Sequence, residues 1–124
     1  MIVVDSAIWI DHLHHSDDHL IALMAERQAL MHPFVIGEIA LGSLRDRAAF
    51  IEIAGRLPCP PVASPAEVLN LIISASLGGA GIGYVDAHLL ASTILVPKGL
   101  LWTRDKRLAK MAVQLGLAFN GGEQ

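Results

Sequence analysis

The stretch Ile2-Val3-Val4-Asp5-Ser6 places three branched apolar residues directly before two residues that favour the start of a helix. A short, unbroken apolar run is typical of a strand that is buried on both faces. Asp and Ser are preferred immediately before the first helical residue, so a helix is predicted from Ala7 to about Leu13. The stretch therefore predicts a buried strand that leads directly into a helix.

Further apolar runs and helix signals alternate along the rest of the chain. Prolines within 58–61 and glycines within 78–83 interrupt the helical pattern. Six more helices are predicted: one carrying the apolar residues of 20–24, three over 34–44, 48–57 and 65–75, one from near residue 86 that directs Leu89, Leu90 and Ile94 inward, and one after residue 105. Short strands are predicted at 29–31, at 100–102 and, as an edge strand, at 117–119.

This order of elements predicts an α/β fold. Strands that alternate with helices form a short, mostly parallel sheet covered by helices on both faces, which makes three layers. In such sheets, ligand sites lie at the carboxyl ends of the strands, where Asp5 and Asp105 follow two of the predicted strands. With 124 residues and no repeat or linker, the chain is expected to be one domain over 1–124, with a polar tail from about residue 120.

The composition limits the classes of protein to consider. Hydrophobic residues make up 53% of the chain and charged residues 17%, which indicates a surface that is buried against a partner. The apolar stretches are too short to span a membrane, and the first residues lack the basic segment of a secretory signal. A single cysteine, Cys59, fits a reducing cytoplasm. The net charge of −3 means that any contact with nucleic-acid phosphates is local or made through a metal.

Four acidic residues stand beside apolar runs, namely Asp5, Glu38, Asp86 and Asp105. No lysine or arginine precedes residue 27 and none lies between 56 and 98, so Asp5 and Asp86 have no cation nearby in sequence. A carboxylate taken out of water must be paired, bind a metal or take up a proton. If the fold gathers these acids, a divalent cation would offset their repulsion. Mg²⁺ and Mn²⁺ prefer oxygen ligands, and one or two such ions can activate water for phosphodiester hydrolysis.

Each acid also has a purely structural explanation. Asp5 and Asp105 are credible helix caps. Glu38 and Asp86 are harder to explain in this way, because apolar neighbours leave their helices little polar surface. One shared cation accounts for all four positions more simply than four separate structural roles, so metal binding is the leading hypothesis.

Four segments in order carry a resemblance to a known family: IVVDSAIWIDHL at 2–13, VIGEIALG at 35–42, DAHLLA at 86–91 and LWTRD at 101–105. They resemble the successive acidic motifs of PIN-domain ribonucleases, specifically the VapC toxins of prokaryotic toxin–antitoxin modules. The resemblance extends from Ile2 to about Gly116. It implies a PIN-like three-layer sandwich and an endoribonuclease that depends on magnesium or manganese. It also implies a type II toxin that is neutralised by a cognate VapB-type antitoxin and that forms a homodimer.

The resemblance further assigns roles to individual residues. The metal-binding aspartates of the family match three positions, namely Asp5, Asp86 and Asp105. Glu38 matches an acid that binds metal or orients the attacking water, and these four acids are the expected catalytic residues. Ser6 and Thr103 match small hydroxyl residues that line the same pocket and contact the RNA.

A basic cluster adjoins Asp105. Arg104, Lys106 and Lys110 fall within seven positions and are interpreted as RNA-binding residues that steer neighbouring phosphates by their charge. The alternative interpretation is a solvated helix face with no role in binding. Substitution of the three residues, with RNA binding measured over a range of salt concentrations, separates the two.

Several other residues admit a functional interpretation, although a structural one is favoured. His15 and His19 have the i, i+4 spacing of a zinc site, but the acidic residues between them favour a polar turn. Trp9 and Trp102 lie beside site residues, and core packing is favoured over base stacking. His88 is expected to pack within its helix rather than act as a base.

Rival functions use Asp5 differently or dispense with catalysis. An aspartyl phosphotransferase would use Asp5 as its nucleophile, but such enzymes usually carry a second acid two residues later, where this chain has Ala7. A receiver-like switch phosphorylated on Asp5 would need an acid cluster and a late lysine that are not evident. A binding module without turnover is the third alternative.

Overall fold

A three-stranded parallel sheet lies at the centre of the computed structural model, which describes residues 1–120. Strand β1 (Ile2–Val4) lies between β2 (Ala29–Leu30) and β3 (Leu100–Trp102), and it pairs with both in parallel. All three residues of β1 are buried, as the apolar run predicted. The central position of β1 brings its carboxyl end beside that of β3.

Within residues 1–120, six helices connect the strands and a seventh follows β3: α1 (Ser6–His14), α2 (Asp18–Ala25), α3 (Pro33–Ala40), α4 (Arg47–Ala54), α5 (Pro65–Ser74), α6 (Tyr84–Leu95) and α7 (Lys106–Gln114). The predicted α/β fold with a parallel sheet in a PIN-like sandwich is confirmed. No helix within residues 1–120 has the length and apolar character needed to cross a lipid bilayer.

The predicted edge strand at 117–119 pairs with β3 at one position only. Ala118 forms an isolated parallel bridge with Leu101. The Leu101 amide donates to the Leu117 carbonyl at 2.7 Å, and the Phe119 amide donates to the Leu101 carbonyl at 3.0 Å. The polar tail predicted from about residue 120 lies, beyond Asn120, outside the described residues.

Two helix predictions were wrong in detail. Helix α3 ends at Ala40 rather than at residue 44, because the Arg47 guanidinium binds the carbonyls of Ala40 at 2.5 Å and Gly42 at 2.7 Å and so satisfies the end of the helix. Ile94 does not point inward but is 48% exposed. Thr93 takes the buried position instead, and its hydroxyl donates to the Leu89 carbonyl at 2.7 Å.

The hydrophobic core packs around β1 and β3. Trp102 is fully buried, and Trp9 is 4% exposed with its indole nitrogen donating to the Val4 carbonyl at 3.0 Å. Core packing of both tryptophans is therefore confirmed, and neither ring is available for base stacking. Leu89 and Leu90 of α6 are fully buried, as predicted. The core fixes the carboxyl edge of the sheet, where the candidate site lies.

Candidate active site at the carboxyl edge of the sheet

Asp5 is the buried centre of the site. It follows β1 directly and is only 7% exposed. One carboxylate oxygen, Oδ1, accepts from the Ser6 amide at 2.7 Å and so caps α1, while Oδ2 accepts from the Thr103 hydroxyl at 2.7 Å. The Asp5 amide donates to the Trp102 carbonyl at 2.9 Å, which joins the ends of β1 and β3. Asp5 is thus both the predicted cap and a member of the pocket.

Thr103 links Asp5 to Asp105. Its hydroxyl oxygen accepts from the Asp105 amide at 3.1 Å while it donates to Asp5. Asp105 is exposed and caps α7, because its Oδ1 accepts from the amides of Arg107 at 2.9 Å and Leu108 at 3.1 Å. The loop after β3 therefore sets the positions of two acids through one hydroxyl.

Glu38 reaches the same pocket from α3. Its carboxyl lies close enough to Ser6, Asp5 and Asp86 for all three to influence its pKa, and the Ser6 hydroxyl lies 3.5 Å from Asp5 Oδ1. Partial desolvation and then the negative charges of Asp5 and Asp86 raise the pKa of the Glu38 carboxyl, against a smaller lowering by Ser6. Glu38 therefore lies within electrostatic reach of acids from two other elements.

Asp86 is half-buried at the first turn of α6. Its Oδ2 accepts from the Gly83 amide at 3.2 Å, which explains why the helix begins at Tyr84 rather than near residue 86. Desolvation raises the pKa of Asp86, the bond from Gly83 lowers it, and the charges of Asp5 and Asp105 raise it further. These effects connect all four acids electrostatically.

The structure brings together the six predicted pocket residues: Asp5, Ser6, Glu38, Asp86, Thr103 and Asp105. No ion pair within residues 1–120 involves any of the four acids. Full burial, which the apolar neighbours in sequence suggested, holds only for Asp5. Glu38 and Asp105 are exposed because α3 and the start of α7 turn these positions to the surface, so the pocket is open to solvent.

The basic residues beside the pocket differ in their surroundings. Arg104 forms an ion pair with Asp11 of α1, and its guanidinium lies 3.6 Å from Asp17. Lys106 and Lys110 are exposed, and no ion pair within residues 1–120 involves either. Arg104 therefore braces the loop after β3 against α1, a role that its position in a basic cluster did not reveal.

The donor set suits a hard, hydrated cation. No group of three or more His, Cys, Asp or Glu side chains in the described part of the chain lies close enough to enclose a metal ion. Mg²⁺ usually keeps several waters and uses only one or two protein carboxylates directly, so a looser ring of carboxylates is the arrangement it accepts. The pocket offers carboxylate and hydroxyl oxygens and mutually repelling charges. Its chemistry therefore fits Mg²⁺ or Mn²⁺.

The histidine-rich turn has a structural role. The His12 ring nitrogen Nδ1 accepts from the Asp17 amide at 3.0 Å, and His19 packs against the rings of Trp102 and Phe119. Because His19 packs against these two rings, the polar turn is favoured over a zinc site. His88 is 3% exposed and packs within the protein, as expected.

The sheet and the acidic pocket at its carboxyl edge define a PIN-like α/β domain. The chain is 43% identical over 118 residues to Ribonuclease VapC32 of Mycobacterium tuberculosis, both in strain CDC 1551 / Oshkosh and in strain ATCC 25618 / H37Rv. The similarity covers 95% of this chain and 95% of each relative. No protein-family model and no solved structure matches the chain. The identity and its coverage show that the chain belongs to the VapC family of PIN-domain ribonucleases.

Proposed function

We propose that this protein is the toxin of a type II toxin–antitoxin system and cleaves RNA internally with Mg²⁺ or Mn²⁺. The proposal is supported by its family and by one observation above all. In a single open pocket, burial and the charges of neighbouring acids raise the pKa values of Glu38 and Asp86, and no ion pair within residues 1–120 involves any of the four acids. A divalent ion would relieve this repulsion and attract a phosphate.

Asp5, Asp86 and Asp105 would hold the ion. When bound, it neutralises charge on the scissile phosphate and lowers the pKa of water. Glu38 accepts a proton from the attacking water, since its raised pKa makes it a stronger base than an ordinary glutamate. The Ser6 hydroxyl, 3.5 Å from Asp5 Oδ1, is positioned to orient the Glu38 carboxylate. The water oxygen bonds to phosphorus while the bond to the 3′-oxygen breaks, and the departing 3′-oxygen takes a proton from solvent water, which leaves a 5′-phosphate and a 3′-hydroxyl.

The decisive experiment is RNA cleavage by the chain purified free of antitoxin. Labelled RNA is incubated with added Mg²⁺ or Mn²⁺ and then with an excess of EDTA. We expect cleavage only with the ion, loss with EDTA and recovery when the ion is restored in excess. Undiminished cleavage in EDTA would contradict the metal mechanism, and no cleavage with either ion would contradict the proposed activity.

Lys106 and Lys110 steer the RNA backbone, and Arg104 contributes when substrate phosphate displaces its carboxylate partners. Replacing Lys106 and Lys110 by Ala is expected to weaken RNA binding and to reduce the slope of log affinity against log salt by about one to two. Binding is measured by fluorescence anisotropy at several salt concentrations. Arg56→Ala is the control, since Arg56 is an exposed cation paired with Glu52 on α4 and should leave the slope unchanged. An equal slope in the double variant would reject the assignment.

The partners proposed are RNA, a cognate VapB-type antitoxin and a second copy of the chain. Large apolar side chains that are mostly exposed, such as Leu41 and Ile73, support burial against protein partners. We also propose that residues 1–124 act as one domain in the cytoplasm, in agreement with the single hydrophobic cluster and the single cysteine. Light scattering on the purified chain tests the homodimer.

Phosphorylation of Asp5 is disfavoured as a rival function. Aspartyl phosphotransferases usually carry a second acid two residues after the nucleophile, and this chain has Ala7 at that position. Incorporation of phosphate into Asp5 would nevertheless support the rivals.

A further inference from the structure

Two exposed aromatic rings lie beside the acidic pocket. Of the six phenylalanine, tyrosine and tryptophan side chains, all within residues 1–120, only Phe34 and Tyr84 are more than one-third exposed, at 37% and 51%. The other four are buried or half-buried. Phe34 and Tyr84 are therefore the most exposed of these six side chains.

A buried histidine joins the two rings. The His88 ring centroid is 4.6 Å from that of Phe34 and 4.7 Å from that of Tyr84. His88 is 3% exposed, and its Nδ1 has no hydrogen-bond partner within the described residues. We call Phe34, His88 and Tyr84 the aromatic ridge. Because its central ring is held in the interior, the ridge presents two outer rings in fixed positions.

Each exposed ring shares a helix with one acid of the pocket. Phe34 lies four residues before Glu38 on α3, so the two side chains share a face of that helix. Tyr84 is the first residue of α6, and the Asp86 carboxylate turns back to bind the amide of Gly83, immediately before Tyr84. The ridge and two acids of the pocket therefore lie between the same two helices, α3 and α6.

The chemistry of the ridge suits an unpaired nucleobase. Bases in single-stranded RNA stack on aromatic side chains, and such stacking tolerates any base because every base has a π-face. The fully or nearly buried tryptophans cannot provide this surface. We propose that Tyr84 and Phe34 form a stacking subsite for a nucleobase that flanks the cleaved phosphate of single-stranded RNA. This inference rests on the proposed RNA cleavage.

The experiment compares removal of the Tyr84 ring from the protein with removal of a single base from the oligonucleotide. Binding of a fluorescein-labelled oligouridylate is measured by anisotropy in EDTA, alongside oligonucleotides of the same length with one abasic position moved stepwise along the chain. Wild-type protein should lose about 10-fold in affinity at one abasic position. Tyr84→Ala should lose about 10-fold on the intact oligonucleotide and show no further loss at that position, since ring and base belong to one interaction.

Matched variants separate stacking from a structural effect. Tyr84→Phe keeps the ring and should bind as wild type, whereas Tyr84→Leu keeps apolar bulk and should behave as Tyr84→Ala. Phe34→Leu should also weaken binding, and its thermal unfolding temperature shows whether the fold is retained. A variant that is merely less stable would still lose affinity at the abasic position, so the absence of that loss indicates stacking.

The outcomes distinguish this proposal from the one on which it rests. If Tyr84→Ala binds RNA as tightly as wild type, or if the abasic penalty persists in that variant, the subsite is refuted while cleavage stands. If wild-type protein neither binds RNA nor cleaves it with Mg²⁺ or Mn²⁺, the proposed function itself fails.

Discussion

Replacing Asp5 by Asn is expected to reduce RNA cleavage by at least about 100-fold while the protein remains folded. The amide keeps an oxygen that can accept from the Ser6 amide, so the start of α1 stays capped. It removes the negative charge that lies deepest in the pocket and the carboxylate oxygen that accepts from Thr103. The measurement is the single-turnover rate of cleavage of a labelled RNA at saturating Mg²⁺, with thermal unfolding recorded for each preparation.

Asp46→Asn is the matched control for this result. Asp46 also caps a helix, because its Oδ1 accepts from the Ala49 amide at 3.0 Å at the start of α4. It is not among the acids that influence Glu38 or Asp86. The control should leave the cleavage rate unchanged, and Asp86→Asn should lower it as Asp5→Asn does. A wild-type rate in Asp5→Asn would remove Asp5 from the mechanism.

Lowering the pH from about 7 to about 4 is expected to remove up to about 3 kcal/mol of unfolding free energy through His32. His32 is fully buried, and burial followed by the proximity of His88 lowers its pKa from 6.5 to about 4. The unfolded chain takes up this proton near pH 6.5 and the folded chain only near 4. The stabilisation is therefore complete above pH 6.5 and is lost as the pH falls through that window.

The hydrogen bonds of His32 explain why its neutral form is required. Its Nδ1 accepts from the Phe34 amide at 3.0 Å and caps α3, so the ring proton resides on Nε2, which lies 3.0 Å from the Ser92 hydroxyl. Protonation of Nδ1 would remove the cap from the helix that carries Glu38. Acid therefore loosens one wall of the pocket at the same time as it destabilises the fold.

Urea unfolding at a series of pH values tests this prediction. His32→Gln, which cannot titrate, should show a shallower loss of stability between pH 6.5 and 4 than the wild type. His14→Gln removes an exposed histidine and should keep the wild-type slope. The raised pKa values of Glu38 and Asp86 act in the opposite direction, because their protonation relieves repulsion, and they are common to all three proteins. Equal slopes in wild type and His32→Gln would contradict the assignment.

Local signals in the sequence were sufficient for the elements around Asp5. The apolar run before it predicted β1, and its capping preference predicted the start of α1. The end of α3 was missed because its carbonyls are satisfied by Arg47, a side chain from the next helix. The prediction for Ile94 was wrong because Thr93 is buried instead. Burial of Thr93 is possible because its hydroxyl donates to a backbone carbonyl of the same helix.

For the site as well, neighbouring residues in the sequence predicted some features, whereas contacts between distant segments determined the others. The acids could be selected from sequence, since each stands beside an apolar run and Asp5 and Asp86 have no nearby cation, but their exposure could not be predicted, because it depends on which helix face packs against the sheet. Arg104 was predicted to bind RNA because its neighbours are basic, whereas Asp11, with which it forms an ion pair, lies 93 positions away. Phe34 and Tyr84 stand close to Glu38 and Asp86 in the sequence, yet nothing local revealed that these two rings are exposed.

The hydrogen bond between Thr103 and Asp5 joins residues 98 positions apart. During translation, Asp5 leaves the ribosome long before its partner has been synthesised, and the third strand of the sheet is also still missing. Chains that end before β3 lack Thr103 and Asp105, so they are expected to show no RNA cleavage.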